Sequence, residues 1–131
     1  MKQTTLLIVD DIPQVRQELR QLLPLAGPIR IVGEAADGLE AVAEAERLRP
    51  DVVLLDLEMP GQGGLEACRL IKERLLAGAV VILSIYAGPE NVRAARAAGA
   101  DSLVVKGSSL GELMAAILRP GKTEEGQCLP R

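Results

Sequence analysis

Asp10, Asp11, Asp56, Ser84 and Lys106 are the side chains of this sequence whose types and placement suit chemistry. Each site follows a short apolar run. Leu6-Leu7-Ile8-Val9 leads to the aspartate pair, Val52-Val53-Leu54-Leu55 to Asp56, Val80-Val81-Ile82-Leu83 to Ser84, and Leu103-Val104-Val105 to Lys106. Carboxylates, a hydroxyl and an ammonium meeting in one place suit metal-assisted phosphoryl transfer. A carboxylate can attack phosphorus and form an acyl phosphate, and catalysis of that step is mostly positioning and charge neutralisation. Asp56 is the candidate nucleophile. Asp10 and Asp11 suit Mg2+, which takes one or two carboxylates, several waters and a phosphate oxygen. Lys106 would set a positive charge against the phosphoryl oxygens, and Ser84 would donate a hydrogen bond to one of them.

Taken singly, each residue has a structural explanation. Asp11, ahead of Ile12-Pro13, reads as a helix N-cap, and Asp56 as a turn former. A lone strand-end serine and a solvated lysine need no function at all. Their joint placement is what separates the two accounts. Capping needs no lysine after the last strand, and solubility needs no acidic pair facing another acid.

The elements that must position these residues can also be read. Uninterrupted Val/Ile/Leu runs mark strands buried on both faces, as in parallel sheets. Helical spacing fills the gaps between them. Val15, Leu19, Leu22 and Leu23 follow Pro13, which the first turn of a helix tolerates, and Pro24 is expected to end that helix. Leu39, Val42, Ala43 and Glu46 mark a second helix before Pro50. Leu65, Cys68, Ile71 and Leu75 mark a third, after Gly61-Gln62-Gly63-Gly64. An alanine-rich fourth helix opens at Pro89 and closes at Gly99, and its few deep contacts make it a natural moving part. Leu110, Leu113, Met114 and Ile117 mark a fifth, stopped by Pro120-Gly121.

Ile29-Arg30-Ile31-Val32 carries a charge in its middle and suits an edge strand. Strands and helices in this alternation form right-handed βαβ units. Of the two doubly wound orders, an edge strand lying outside the first gives 2-1-3-4-5. The expected fold is therefore α/β, a flavodoxin-like five-stranded parallel sheet with helices on both faces. Asp10, Asp11 and Asp56 then share the crevice at the point where the chain reverses direction. From Arg119 onward no apolar period is visible. The expected organisation is one domain over residues 1–119, then a polar tail or linker over 120–131.

Composition narrows the class. A chain of 131 residues suits one domain with a proper core. Tyr86 is its only aromatic residue, so that core must be aliphatic. A net charge of −3 argues against a nucleic-acid-binding face. With no histidine, the chain is neither a histidine kinase nor a histidine phosphotransfer module. Cys68 and Cys128 are too few for a disulfide framework, and their pairing is not expected. The apolar runs are too short for a secretory signal or a membrane span. A cytoplasmic protein without a membrane partner is expected.

Ile8-Val9-Asp10-Asp11, Leu54-Leu55-Asp56-Leu57-Glu58-Met59-Pro60, Ser84 and Val104-Val105-Lys106 closely resemble the receiver domain of two-component response regulators, over about residues 4–118. The resemblance implies phosphorelay signalling, in which a sensor histidine kinase donates a phosphoryl group to Asp56. It implies Mg2+ held by Asp10, Asp11, Asp56 and the backbone carbonyl of Glu58. Ser84 matches the family's switch hydroxyl and Lys106 its lysine. Such a domain catalyses its own phosphorylation and dephosphorylation and is not an enzyme acting on other substrates. Val105-Lys106-Gly107-Ser108-Ser109 looks most like receivers attached to helix-turn-helix transcription regulators of the LuxR type. The implied partners are therefore a DNA-binding output domain, attached or separate, and a second copy of the chain on phosphorylation. This segment itself would touch no nucleic acid.

Departures from the family pattern carry expectations of their own. Leu103 stands where the switch aromatic usually lies, which puts in doubt any scheme that turns a ring inward behind Ser84. Ile85 follows Ser84 where a small residue is usual and is expected to cover part of the phosphoryl pocket. Gly107 excludes a cis-proline after Lys106. Glu58 and Tyr86, each two residues past a key position, are expected to flank the mouth of the site and tune water access.

Three rivals remain. One is a degenerate receiver that only docks to partners. Another is an aspartyl-phosphate phosphohydrolase similar to the haloacid dehalogenases, which wants an aspartate where this chain has Glu58. The last is a flavin-binding module, opposed by the acidic pair and by the scarcity of aromatics.

Overall fold

The computed structural model describes residues 2–60, 63–121 and 127–128. In chain order the elements are β1 (Thr4–Val9), α1 (Pro13–Ala26), β2 (Ile29–Ala35), α2 (Gly38–Leu48), β3 (Val52–Asp56) and α3 (Gly63–Glu73). There follow β4 (Ala79–Ser84), α4 (Pro89–Ala97), β5 (Ser102–Val105), α5 (Leu110–Leu118) and β6 (Gln127–Cys128). Five strands run parallel in the order β2-β1-β3-β4-β5, and charged β2 lies at the edge, as its sequence predicts. The two-residue β6 adds to β5 in the antiparallel sense. Sequence reading has no strand there, because two residues cannot display a period. The rest of the expected tail, from residue 122, lies outside the described residues.

Side chains alternate across each strand with a period of two, so each apolar run feeds two cores. Leu7, Val53, Val80 and Leu103 pack against α2, α3 and α4, while Leu6, Leu54, Val81 and Val104 pack against α1 and α5. A strand covered on both faces has no position for a polar residue until it ends. That is why the runs are continuous and why the first polar side chains appear at their C-terminal ends. Burying each leucine contributes roughly 1.5–3 kcal/mol, so the sheet is strongly held where it presents those ends.

Helix phases differ from the sequence expectation at several points. Pro24 lies inside α1, which continues to Ala26 before Gly27 ends it. Proline removes one N–H and crowds the preceding turn, and with two residues of helix left that cost is small. In α2 the buried stripe is Gly38, Ala41 and Ala45, whereas Leu39 is 85% exposed and Ala43 and Glu46 face outward. The cause is close approach: a Cβ on Gly38 would stand 2.4 Å from the Gly63 carbonyl oxygen at the start of α3. Only small residues fit that seam. Leu75 lies beyond α3 with φ 55 and is exposed, and Leu76 enters the core in its place. Gly99, with φ 88, closes α4 as expected. Only Ala95 of that helix is fully buried, so α4 is lightly anchored.

Cys68 is a buried free thiol, pushed up to about 12 by burial, and it donates to the Ala98 carbonyl. The side chain of Cys128 lies outside the described residues. Among the described residues, no helix is long and apolar enough to cross a membrane.

Candidate functional site

Asp56 and Ser84 are the last residues of β3 and β4, and Asp10 and Lys106 are the first residues after β1 and β5. Parallel strands set all four at one edge of the sheet. Sheet-like bonding continues past the strand ends and fixes where the loops begin: Leu57 N donates to Leu83 O at 2.8 Å, and Lys106 N to Ser84 O at 2.7 Å. Asp10, Asp56 and Ser84 are buried at 2%, 2% and 0% exposure. Carboxylate oxygens of Asp10, Asp11 and Asp56 all lie within 4.8 Å of one another. Lys106 Nζ stands 2.8 Å from Asp56 Oδ1, and Glu58 N donates to the same oxygen at 3.0 Å. The residues singled out from the sequence thus form one constellation.

Asp11 does not cap α1. The N-cap is Ile12, which makes no side-chain capping bond, and the local bond comes from Asp10, whose Oδ1 accepts from Ile12 N at 2.9 Å. The structural explanation for Asp11 therefore fails, and it leaves a half-buried carboxylate beside two buried ones.

Burial raises the pKa of Asp10 above its ordinary value of 3.8. The Ile12 amide opposes that shift, and the Asp56 and Asp11 charges add to it. For Lys106, burial works against the ammonium. The hydrogen bond and charge of Asp56, with the charges of Asp10 and Glu58, more than offset it, so its pKa is raised. The donor set consists only of oxygens from three carboxylates, which fits a hard divalent cation rather than a soft one.

Three features escape sequence reasoning. Arg16 Nη1 donates to the Asp10 carbonyl at 2.6 Å while its Nε pairs with Glu34 at 3.0 Å, which ties the acidic loop to α1 and β2. An arginine one turn after an acidic pair is the only hint the sequence offers. Asn91, in the first turn of α4, donates through Nδ2 to the Tyr86 carbonyl at 2.5 Å and to Ser84 Oγ at 3.1 Å. The third is the Glu58 carboxylate. It accepts from Ser84 Oγ at 2.7 Å and from Ile85 N at 3.0 Å, and Lys106 Nζ is 3.7 Å away. Glu58 therefore does stand at the mouth, but its side chain bonds to the switch-position serine.

In the loop after β4, Ile85 is 67% exposed and its amide is bonded to the Glu58 carboxylate. Tyr86 is likewise exposed. Leu103 is fully buried in the core shared with α4. Gly107 adopts φ 88.

A parallel 2-1-3-4-5 sheet with an acidic trio and a lysine at its C-terminal edge defines a class. Residues 6–118 match the family model described as the response regulator receiver domain, and the chain belongs to that family. The nitrate/nitrite response regulator NarL of Escherichia coli K12 is 39% identical over 113 residues, covering 86% of this chain and 52% of that protein. The transcriptional regulatory protein LiaR of Bacillus subtilis 168 is 36% identical over 118 residues, covering 90% and 56% respectively. Among solved structures, a LuxR-family two-component response regulator from Aurantimonas sp. SI85-9A1 superposes with a TM-score of 0.82 at 35% identity, covering 89% of this chain and 84% of that one. The likeness to LuxR-type receivers expected from the sequence is borne out. The chain spans about half the length of the curated relatives it matches. The flavin module and the phosphohydrolase belong to other families. A docking-only receiver remains as the rival that an experiment must decide.

Proposed function

We propose that Asp56 accepts a phosphoryl group from a phosphohistidine of a partner sensor kinase and that the chain is the input switch of a transcription regulator in the cytoplasm. The observation that carries this reading is Lys106 Nζ lying 2.8 Å from a buried carboxylate that two further carboxylates face. Lys106 and Glu58 N both engage Oδ1 and hold the carboxylate in place for attack. As the new O–P bond forms, the P–N bond to the kinase imidazole breaks and its electron pair returns to the ring nitrogen. Asp10, Asp11, Asp56 and the Glu58 backbone carbonyl would hold Mg2+, which would supply neutralising charge. Lys106 follows the charge onto the phosphoryl oxygens, and the Ser84 hydroxyl donates to one of them.

Phosphorylation adds nearly two negative charges at Asp56. Ser84 and Lys106 move towards them and carry the loops that precede α4 and α5. Those elements change surface, and a DNA-binding output domain or a second copy of the chain reads the difference. The support for a DNA-binding output is the chain's likeness to a DNA-binding response regulator of the LuxR family from Staphylococcus aureus.

The test is a mass measurement after treatment with a small acyl phosphate, with and without Mg2+. The expected result is a gain of one phosphoryl group that requires Mg2+ and is lost in Asp56→Asn. No gain under any condition would leave the docking-only receiver standing.

A further inference from the structure

We propose that Glu58 is an internal stand-in for the phosphoryl group, a positioning residue whose carboxylate holds the β4–α4 loop until a phosphoryl group displaces it. The proposal rests on the Asp56 reading above and adds a regulator to that site. Its basis is the identity of the bonds. A phosphoryl oxygen arriving at Asp56 needs the Ser84 hydroxyl and the Lys106 ammonium. Ser84 Oγ is bonded to Glu58 Oε2 at 2.7 Å, and Lys106 Nζ lies 3.7 Å from Oε1. Ile85 N, the next donor along the loop, is bonded to Oε1 at 3.0 Å. One carboxylate, two residues from the phosphoacceptor, thus occupies two loop donors and approaches the cation.

The serine proton has a second acceptor within reach, the Tyr86 carbonyl at 2.9 Å. That carbonyl already accepts from Asn91 Nδ2 at 2.5 Å, and the same amide group donates to Ser84 Oγ at 3.1 Å. With its lone pairs taken by Asn91 and by Tyr86 N at 3.2 Å, the hydroxyl has one proton to give, and Glu58 is the nearer and the charged acceptor. Asn91 lies in the first turn of α4, so the latch joins the loop after β3, through Ser84, to the lightly anchored helix. An anion that takes Ser84 must evict Glu58, and the evicted charge then repels the newcomer.

A site that is free only part of the time binds its ligand more weakly in proportion to that fraction. Removing the latch should therefore tighten binding of a phosphoryl analogue. The experiment is titration of the chain with beryllofluoride in Mg2+, followed through backbone amide resonances, for the parent, Glu58→Gln and Glu58→Ala. The apparent Kd is expected to fall about tenfold in Glu58→Ala and by less in Glu58→Gln, which keeps an acceptor oxygen but loses the charge. Before any ligand is added, the Ile85 amide should move upfield in Glu58→Ala, while amides of β1 stay in place and show the fold intact. Unchanged or weaker affinity in both variants, or an unmoved Ile85 amide, overturns the latch and leaves the phosphoacceptor reading untouched. A parent chain that takes no beryllofluoride in Mg2+ overturns both.

Discussion

Replacing Asp11 by alanine should stabilise the metal-free protein. Oxygens of Asp10, Asp11 and Asp56 lie within 4.8 Å of one another. Two unit charges at 4.8 Å repel by about 3.5 kcal/mol at an effective dielectric near 20, and by about 0.9 kcal/mol in bulk water. Asp11 is half-buried, which places its repulsion between those values, and Lys106 cancels part of it. Net relief of about 1 kcal/mol follows, or about 3–5 °C in Tm for a domain of this size. No helix cap is lost, because Ile12 N bonds to Asp10 and not to Asp11. The assay is thermal unfolding by circular dichroism with a chelator present, at low and high salt. The gain should shrink as salt screens the carboxylates. A fall in Tm, or a gain indifferent to salt, would show that Asp11 has a structural role and that repulsion does not govern the trio.

With Mg2+ added, the ranking should reverse: the parent gains about 2.7 kcal/mol at a hundredfold excess over Kd, while Asp11→Ala gains little, read from the same melts. Asp10 has its pKa raised in the fold, so it binds its proton more readily folded than unfolded. Its contribution to stability is full below 3.8 and is lost as pH rises through the raised value. Urea midpoints measured from below 3.8 to neutrality without metal should show that decline, and Asp10→Asn should flatten it. Lys106→Met should cost about 1–2 kcal/mol in urea unfolding, since a third-exposed ammonium loses its bond to Asp56 and leaves the acids unopposed. Gly38→Ala should cost at least about 2 kcal/mol, because its new Cβ meets the Gly63 backbone and no rotamer can relieve the clash.

Strand positions were legible because a sheet buried on both faces demands unbroken Val/Ile/Leu runs, and few other structures do. Asp10, Asp56, Ser84 and Lys106 were legible for the same reason, as the first polar side chains after those runs. Leu39 and Ala43 misled because hydrophobic spacing assumes large residues face inward. Where two helices meet backbone to backbone, Gly38, Ala41 and Ala45 are the core, and small residues carry almost no hydrophobic signal. Leu75 misled because its spacing fits a helix that its positive φ has already left. The reach of Glu58 to Ser84 spans 26 positions, and three rotatable bonds give that side chain many alternatives, so no local pattern could announce it.

Where α3 meets the end of β3 and the start of α2, backbone packs on backbone. A Cβ on Gly64 would stand 3.0 Å from the Asp56 carbonyl oxygen, and Gly38 abuts Gly63 more tightly still. Main chain pressed on main chain has no rotamers to exchange, so that seam behaves as an anvil. The loop after β4 is stitched instead by a serine, an asparagine and a glutamate, whose bonds can be remade with different partners. The phosphoacceptor's main chain is thus braced where nothing can rotate, while its neighbours across the strand ends hang on bonds that can be exchanged.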